Sequence, residues 1–318
     1  MEEDDIRVPV YLITGFLESG KTSFINKTVR QDYFQIPQAT LIISTEEGEE
    51  EYDSADLTKY RTFVQDIESE EEFTYEKLCE FERDVHPGRV LLELNPLWGV
   101  RKAEELKLPE GWGIVQEIVN VDAVTYPVYR VNMKSLFTEM FANTDLVIFN
   151  RCKEDMQLSD FRRGIKVTNP ACELAFEGTD GEMIDLFQDT LPYDMDADVI
   201  NIEDCDYGIF YVDMQDDPEK YEGKTVHFRG KVKKPSGLGS KRFALGWSAM
   251  TCCADDVQFI GYICASPDAP KYAEGDWVEI TAKVEIRHLM AYRGKGPVFR
   301  VQEISRCEAP ESDLVYFN

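Results

Sequence analysis

Near its start the chain reads Gly15-Phe16-Leu17-Glu18-Ser19-Gly20-Lys21-Thr22-Ser23, residue types at a spacing that can hold a row of phosphates. The stretch fits G-x-x-x-x-G-K-[ST]. Its glycines let the backbone turn tightly and aim N–H groups at one point. A helix starting where the loop ends adds partial positive charge there. In such a loop the lysine, here Lys21, reaches the β- and γ-phosphates, and the Thr22 hydroxyl ligates Mg2+. Gly15, Leu17, Glu18, Ser19, Gly20, Lys21, Thr22 and Ser23 are therefore the candidate nucleotide contacts. Charge-assisted hydrogen bonds of this kind contribute about 1.5–3 kcal/mol each, so several together hold a triphosphate.

Carboxylates follow where a metal would need them. Thr45-Glu46-Glu47-Gly48-Glu49-Glu50-Glu51-Tyr52-Asp53 comes directly after the apolar run Ala39 to Ser44. A loop at the carboxyl edge of a parallel sheet is placed to meet Mg2+ or its waters. Glu46 and Asp53 are the candidates; an exposed acidic loop is the other reading, and the one taken for Glu47, Glu50 and Glu51. Glu93 ends a second apolar run, Arg89 to Leu94, where an unpaired acid is costly to bury. It stands either beside the metal, which makes it a candidate catalytic residue with Lys21 and Thr22, or in a structural ion pair. Asn150 ends the run Asp145 to Phe149 at the same edge and completes the candidate nucleotide contacts.

These residues need a scaffold. Val8 to Thr14 is rich in strand formers, and Ser23 to Gln31 can run as a helix. Further strands are expected at 39–44, 62–67, 89–94, 113–121, 145–149 and 172–176. Helices are expected from about 75 to 84, over 129–142 and over 181–188. Strands alternating with helices at this rhythm indicate a P-loop NTPase domain with a mostly parallel, doubly wound sheet, an α/β fold. It should occupy residues 1–192, with a linker over 193–206.

Beyond that point the pattern changes to period two. Five short alternating stretches, at 221–232, 242–250, 257–264, 276–286 and 297–305, are separated by Gly-containing turns, with a brief helix at Pro218 to Tyr221. This predicts a small all-β OB-like barrel over 207–318. It carries the vicinal pair Cys252-Cys253. Adjacent strand residues point to opposite faces, so the pair meets one zinc ion only at a turn or bulge; otherwise it is two small buried residues.

Bulk composition narrows the partners. The chain has 318 residues, 34 Lys+Arg against 61 Asp+Glu, and a formal net charge of -27. That argues against nucleic acid or an anionic membrane surface. No apolar run reaches the length of a membrane span. The opening Met1-Glu2-Glu3-Asp4-Asp5 is acidic where a secretion signal needs bases, and the eight cysteines read as reduced thiols, so a cytoplasmic location is expected.

The first part of the chain resembles the CobW-like GTPases, P-loop proteins associated with handling metal ions. Gly15 to Thr22 matches the family's G-F-L-x-S-G-K-T opening. Glu46, Gly48, Glu49 and Asp53 match its N-E-x-G-E-x-x-x-D loop, with Thr45 in place of Asn. Glu93 matches the Walker B acid, and Asn150 the first residue of N-K-x-D, with Arg151 in place of Lys. The resemblance implies GTP, Mg2+ held by Thr22, Glu46, Asp53 and Glu93, hydrolysis, and delivery of a metal to a client metalloprotein. The second part resembles the cysteine-pair OB-like domain of bacterial proteins that accompany zinc-linked permeases, through Met250-Thr251-Cys252-Cys253-Ala254-Asp255-Asp256.

Three departures bear on chemistry. Asp66 to Glu71 stands where the family carries C-x-C-C, so no thiol is available there for a soft metal. Pro96 stands where the family has a glycine whose N–H meets the γ-phosphate, and proline has no N–H. Lys153 stands where an acid reads guanine, and a cation cannot accept those hydrogens. Slow hydrolysis, or a nucleotide-dependent switch with negligible turnover, both follow from Pro96. A third reading makes the protein a zinc binder that acts through its barrel.

Overall fold

The computed structural model describes residues 6–184, 191–250, 257–292, 294–310 and 313–315. The chain forms two compact units: residues 1–158 with 171–185, and residues 159–170 with 186–318.

The first unit is built on seven strands: β1 (Val8–Thr14), β2 (Ala39–Ser44), β3 (Thr62–Asp66), β4 (Pro87–Leu94), β5 (Trp112–Asp122), β6 (Leu146–Cys152) and β7 (Glu173–Gly178). They lie in the order β3-β2-β4-β1-β5-β6-β7, and every pairing is parallel. Central strands buried on both faces need continuous apolar runs, which β1, β2 and β4 supply. Leu12, Ile13, Leu41, Ile42, Ile43 and Val90 are all fully buried. The helices of this unit are α1 (Lys21–Val29), α2 (Ser54–Leu57), α3 (Tyr75–Val85), α4 (Val100–Glu105), α5 (Tyr126–Asn132) and α6 (Lys134–Ala142). Ile25 and Val29 of α1 pack with Ile13, Ile42, Leu91 and Ile118 of the sheet. Parallel order has a functional consequence: the ends of β1, β2, β4, β5 and β6 all open on one edge, where ligands of such sheets bind. Glu93 sits in register with Ile13 and Ser44, and Asn150 with Asp122.

Two expected helices differ. The helix expected over 129–142 starts earlier and is two, because Met133 leaves the helical region (φ −127, ψ 39). The Asn132 side chain bonds the Val128 carbonyl at 2.7 Å, competing with the continuing ladder. The described part of the helix expected at 181–188 is a turn: Gly181 has φ 83, Met183 bridges Glu177, and Ile184 N–H donates to the Phe176 carbonyl. Residues 185–188 lie outside the described set.

The second unit adds α7 (Leu158–Thr168), most of which belongs to it, and α8 (Tyr207–Asp216), neither of which was expected. α8 buries Tyr207, Phe210, Val212 and Met214, so it lacks the one-sided polarity that marks a surface helix. The strands are β8 (Ile200–Asn201), β9 (Thr225–Lys233), β10 (Arg242–Met250), β11 (Val257–Ala265), β12 (Trp277–Leu289), β13 (Gly294–Arg306) and β14 (Leu314–Val315). They form a mixed seven-stranded sheet in the order β14-β10-β11-β13-β12-β9-β8, and β9 also pairs with β10. β10–β11, β12–β13, β9–β12 and β9–β10 are antiparallel; β11–β13 is parallel. Tyr207, Phe210, Tyr221, Phe228, Phe243, Tyr262 and Phe299 fill its core. No helix of the described residues is long and apolar enough to cross a membrane.

Candidate functional site

The loop between β1 and α1 has the backbone its sequence asks for. Gly15 has φ 144 and Gly20 φ 92, both unfavourable for residues with a Cβ. A Cβ on Gly15 would run into the Asn120 carbonyl, and one on Gly20 would lie 2.6 Å from Asn150 Nδ2. Glu18 also has positive φ, 61.

Inside the loop, Lys21 is 2% exposed. Its Nζ donates to the Gly15 carbonyl at 2.8 Å and the Phe16 carbonyl at 3.0 Å, and forms an ion pair with Glu46. The Thr22 hydroxyl donates to Glu93 Oε1 at 2.8 Å. Tyr52 donates to the other Glu93 oxygen at 2.5 Å. Burial pushes the Glu93 carboxyl above its usual range, opposed by the hydrogen bonds from Tyr52 and Thr22 and by the nearby Lys21. Burial likewise raises the Tyr52 phenol, which therefore stays a donor. Thr45 ties the sheet edge together: its hydroxyl donates to the Glu93 carbonyl and accepts from Asn95 N–H.

The acidic loop folds over this cradle. Ser23 donates to Glu50, which also takes Asn26 Nδ2 at 3.2 Å. Glu18 Oε1 accepts from Glu49 N–H at 2.8 Å. The space left among Gly20, Lys21, Thr22, Glu46, Glu50 and Arg151 is about 40 Å3. That is room for a few waters, not for a triphosphate.

The structure thus brings together Lys21, Thr22, Ser23, Glu46 and Glu93. It places Asp53 elsewhere: this residue is exposed, and its carboxylate caps α2 by accepting from Ala55 and Asp56 N–H, both at 3.0 Å. An N-cap Asp accepting amides of the first turn is the cheaper use of that carboxylate. Asp53-Ser54-Ala55-Asp56 is itself a helix-start pattern, so the signal was present in the sequence. Leu17 is 55% exposed. Cys252 and Cys253 lie outside the described residues. Among the described residues, no group of three or more His, Cys, Asp or Glu could hold a metal ion.

Three residues join the site unannounced. Asn120, 1% exposed in the apolar strand β5, is one; a buried amide among valines is a recognisable signal. Tyr52 holds Glu93. Arg151 reaches back to the Glu18 carbonyl at 2.9 Å and to Asp122 at 2.5 Å. Asn150, which was expected, donates to the Ser19 carbonyl at 2.6 Å, clamping the loop from β6. Around it, Thr14 Oγ1, Ser19 Oγ, Asn120 Nδ2 and Asn150 Oδ1 are buried with no partner. Buried polar groups are normally satisfied, so a cluster of orphans at one loop fits a site that a polar ligand completes.

The amides that follow Pro96 are already engaged. Leu97 N–H donates to Asn95 Oδ1, Trp98 N–H to the Asn95 carbonyl, and Gly99 N–H to the Pro96 carbonyl.

A seven-stranded parallel sheet with a glycine-lysine-threonine loop between its central strand and the first helix fits a P-loop NTPase fold. Residues 181–317 match the family described as the DUF1980 C-terminal domain. No curated protein sequence matches the chain. Among solved structures, hydrogenase maturation factor HypB from Archaeoglobus fulgidus is similar at 15% identity and TM-score 0.41, covering 57% of this chain and 85% of that one. The Zn(II)-bound YjiA GTPase from E. coli is similar at 18% identity and TM-score 0.39, covering 56% and 59%. HypB from Helicobacter pylori in complex with nickel is similar at 12% identity and TM-score 0.37, covering 56% and 81%. At these scores the functional reading rests on the residues of the chain itself.

Proposed function

We propose that the first unit binds a purine nucleoside triphosphate, GTP, with Mg2+, and hydrolyses it slowly. The observation that carries this is the buried Lys21, held by two loop carbonyls and a carboxylate at a helix N-terminus, with Thr22 on Glu93 beside it. A triphosphate would replace Glu46 on Lys21. Thr22, Glu46 and Glu93 would hold the magnesium or its waters, and the metal would neutralise charge developing on the phosphates. The protein's share is positioning, since phosphoryl transfer asks for little covalent chemistry. Arg151, already on the Glu18 carbonyl, would lie against the nucleoside side of the loop. Calorimetry with Mg-GTP and Mg-ATP tests this: binding that is lost in Lys21→Ala supports it, and no heat with either nucleotide removes it.

A second reading, a switch with negligible hydrolysis, draws on Pro96 and on the engaged amides of Leu97, Trp98 and Gly99. Single-turnover phosphate release separates the two: binding without release favours the switch.

We further propose that the second unit is an OB-like barrel. Its support is the cyclic pairing β9-β10-β11-β13-β12-β9, which leaves those five strands without a free edge. Metal handling and delivery to a client protein, with zinc as one candidate and the Cys252-Cys253 pair as its ligand source, rest on the motif resemblance. Zinc content of the purified protein against Cys252→Ser/Cys253→Ser tests that part.

A further inference from the structure

The strand register of the second unit places cations in a row. Arg242 of β10 lies opposite Ala265 of β11, Ala265 opposite Arg300 of β13, and Arg300 opposite Lys283 of β12. Directly opposed residues share a face of a sheet. The neighbouring row, Phe243, Cys264 and Phe299, is fully buried, so this row faces outward, and Arg242, Lys283 and Arg300 are exposed. Two strand spacings set the arginine backbones about 10 Å apart. Only the Ala265 methyl stands between them, so both guanidinium groups can converge above it.

A cleft of about 630 Å3 opens at this point, also lined by Lys241, Ser240 and Ser266. Among the described residues no acid lines it, in a chain whose net charge is -27. Of the acids nearby, Glu285 is held by Arg287 at 2.7 Å and Arg300 at 3.3 Å, so one carboxylate is divided between two cations, and Asp268 is paired with Lys271 at 2.8 Å. Among the described residues Lys241 and Arg242 have no ion-pair partner. Ser266 is 5% exposed; its oxygen accepts from Asp268 N–H, which leaves its own proton to donate. The cleft volume lies in the range of small-molecule sites.

The geometry points to a binding site for a compact polyanion carrying two or more phosphate or carboxylate groups. Arginine forks match both groups in a bidentate way. Single-stranded nucleic acid is disfavoured because, among the described residues, no aromatic side chain lines the cleft to stack a base.

Calorimetry at low salt tests this on the full chain bearing Lys21→Ala, which silences the phosphate loop. Pyrophosphate and citrate are the two probes, and the tighter one identifies the group preferred. One-to-one binding is expected, weakened about tenfold or more by Arg242→Ala or Arg300→Ala, and lost when both are changed. Both arginines are exposed, so their loss leaves the core intact. Should Lys21→Ala fail to fold, the wild-type chain serves: removing both arginines should lower the pyrophosphate stoichiometry by one, whether or not the phosphate loop also binds it. Absence of heat, unchanged binding in the double variant, or an oligothymidine that binds through the same arginines and expels pyrophosphate would each overturn the proposal.

Discussion

Lys21 and Glu46 form an ion pair whose side chains are 2% and 10% exposed, inside the loop that would cradle phosphate. On the proposed function, a phosphate oxygen would take the place of this carboxylate on Lys21. Glu46→Gln should therefore destabilise the free protein, since a buried charge loses its partner; the full loss of such a pair costs about 3–5 kcal/mol, and the two loop carbonyls should reduce that to about 2. An anion should repair the defect. In the absence of divalent metal, GTP or pyrophosphate should raise the melting temperature of Glu46→Gln more than that of wild type. A smaller shift in the variant would show that Glu46 does not occupy the phosphate position.

Tyr52 is the second donor to Glu93. Tyr52→Phe leaves that carboxylate with Thr22 and Lys21 for company and should cost about 1.5–3 kcal/mol, the worth of a hydrogen bond to a charged group. Chemical denaturation measures it. If Tyr52 also sets the protonation of Glu93, Mg2+-dependent nucleotide binding in the variant should fade at a higher pH than in wild type, because removing a donor to the ionised form raises the carboxyl further.

Pro96 offers no N–H at the start of the segment after β4, and the following amides are engaged. Restoring a donor with Pro96→Gly should raise single-turnover GTP hydrolysis by up to about 10²-fold, with little change in affinity. An unchanged rate would show that this segment does not approach the γ-phosphate.

Glu117, in the middle of β5, is pushed up to about 7, chiefly by burial and then by the charges of Glu104 and Asp145. A carboxyl raised in the folded state binds its proton more tightly there than in the unfolded chain. Its stabilising contribution is complete below the unfolded value of about 4.5 and is lost as pH rises toward 7. Glu117→Gln should flatten this slope, making the variant about 2 kcal/mol more stable than wild type at pH 8. Melting curves between pH 4.5 and 8 check it; parallel pH profiles for the two proteins would contradict it.

Some of this was readable along the chain. The loop from Gly15 to Ser23 carries its backbone demands in its glycines, and the apolar runs ending at Ser44, Leu94 and Phe149 announce strands because both faces of those strands are buried. Elsewhere local pattern was incomplete. Asp53 matches an acid of a metal loop by spacing, and its carboxylate caps α2 through the Ala55 and Asp56 amides. The run of 129–142 has helical residues throughout, yet Asn132 breaks it by bonding a carbonyl within its own turn. α8 was hidden because a helix buried all round shows no alternation of polar and apolar faces.

The sequence by itself determined the local machinery: a tight glycine turn, a lysine and threonine at a helix start, apolar strands to aim them, and a proline that withholds an amide. These depend on φ/ψ preference and on residues within a few positions of one another. Tertiary structure alone decided which carboxylate meets Lys21, that Tyr52 holds Glu93, that Arg151 returns to the loop, and that Arg242 and Arg300 flank Ala265. Each of these joins residues from separate strands or loops. Register and strand order bring such residues together, and both are set by how the whole sheet buries its apolar faces.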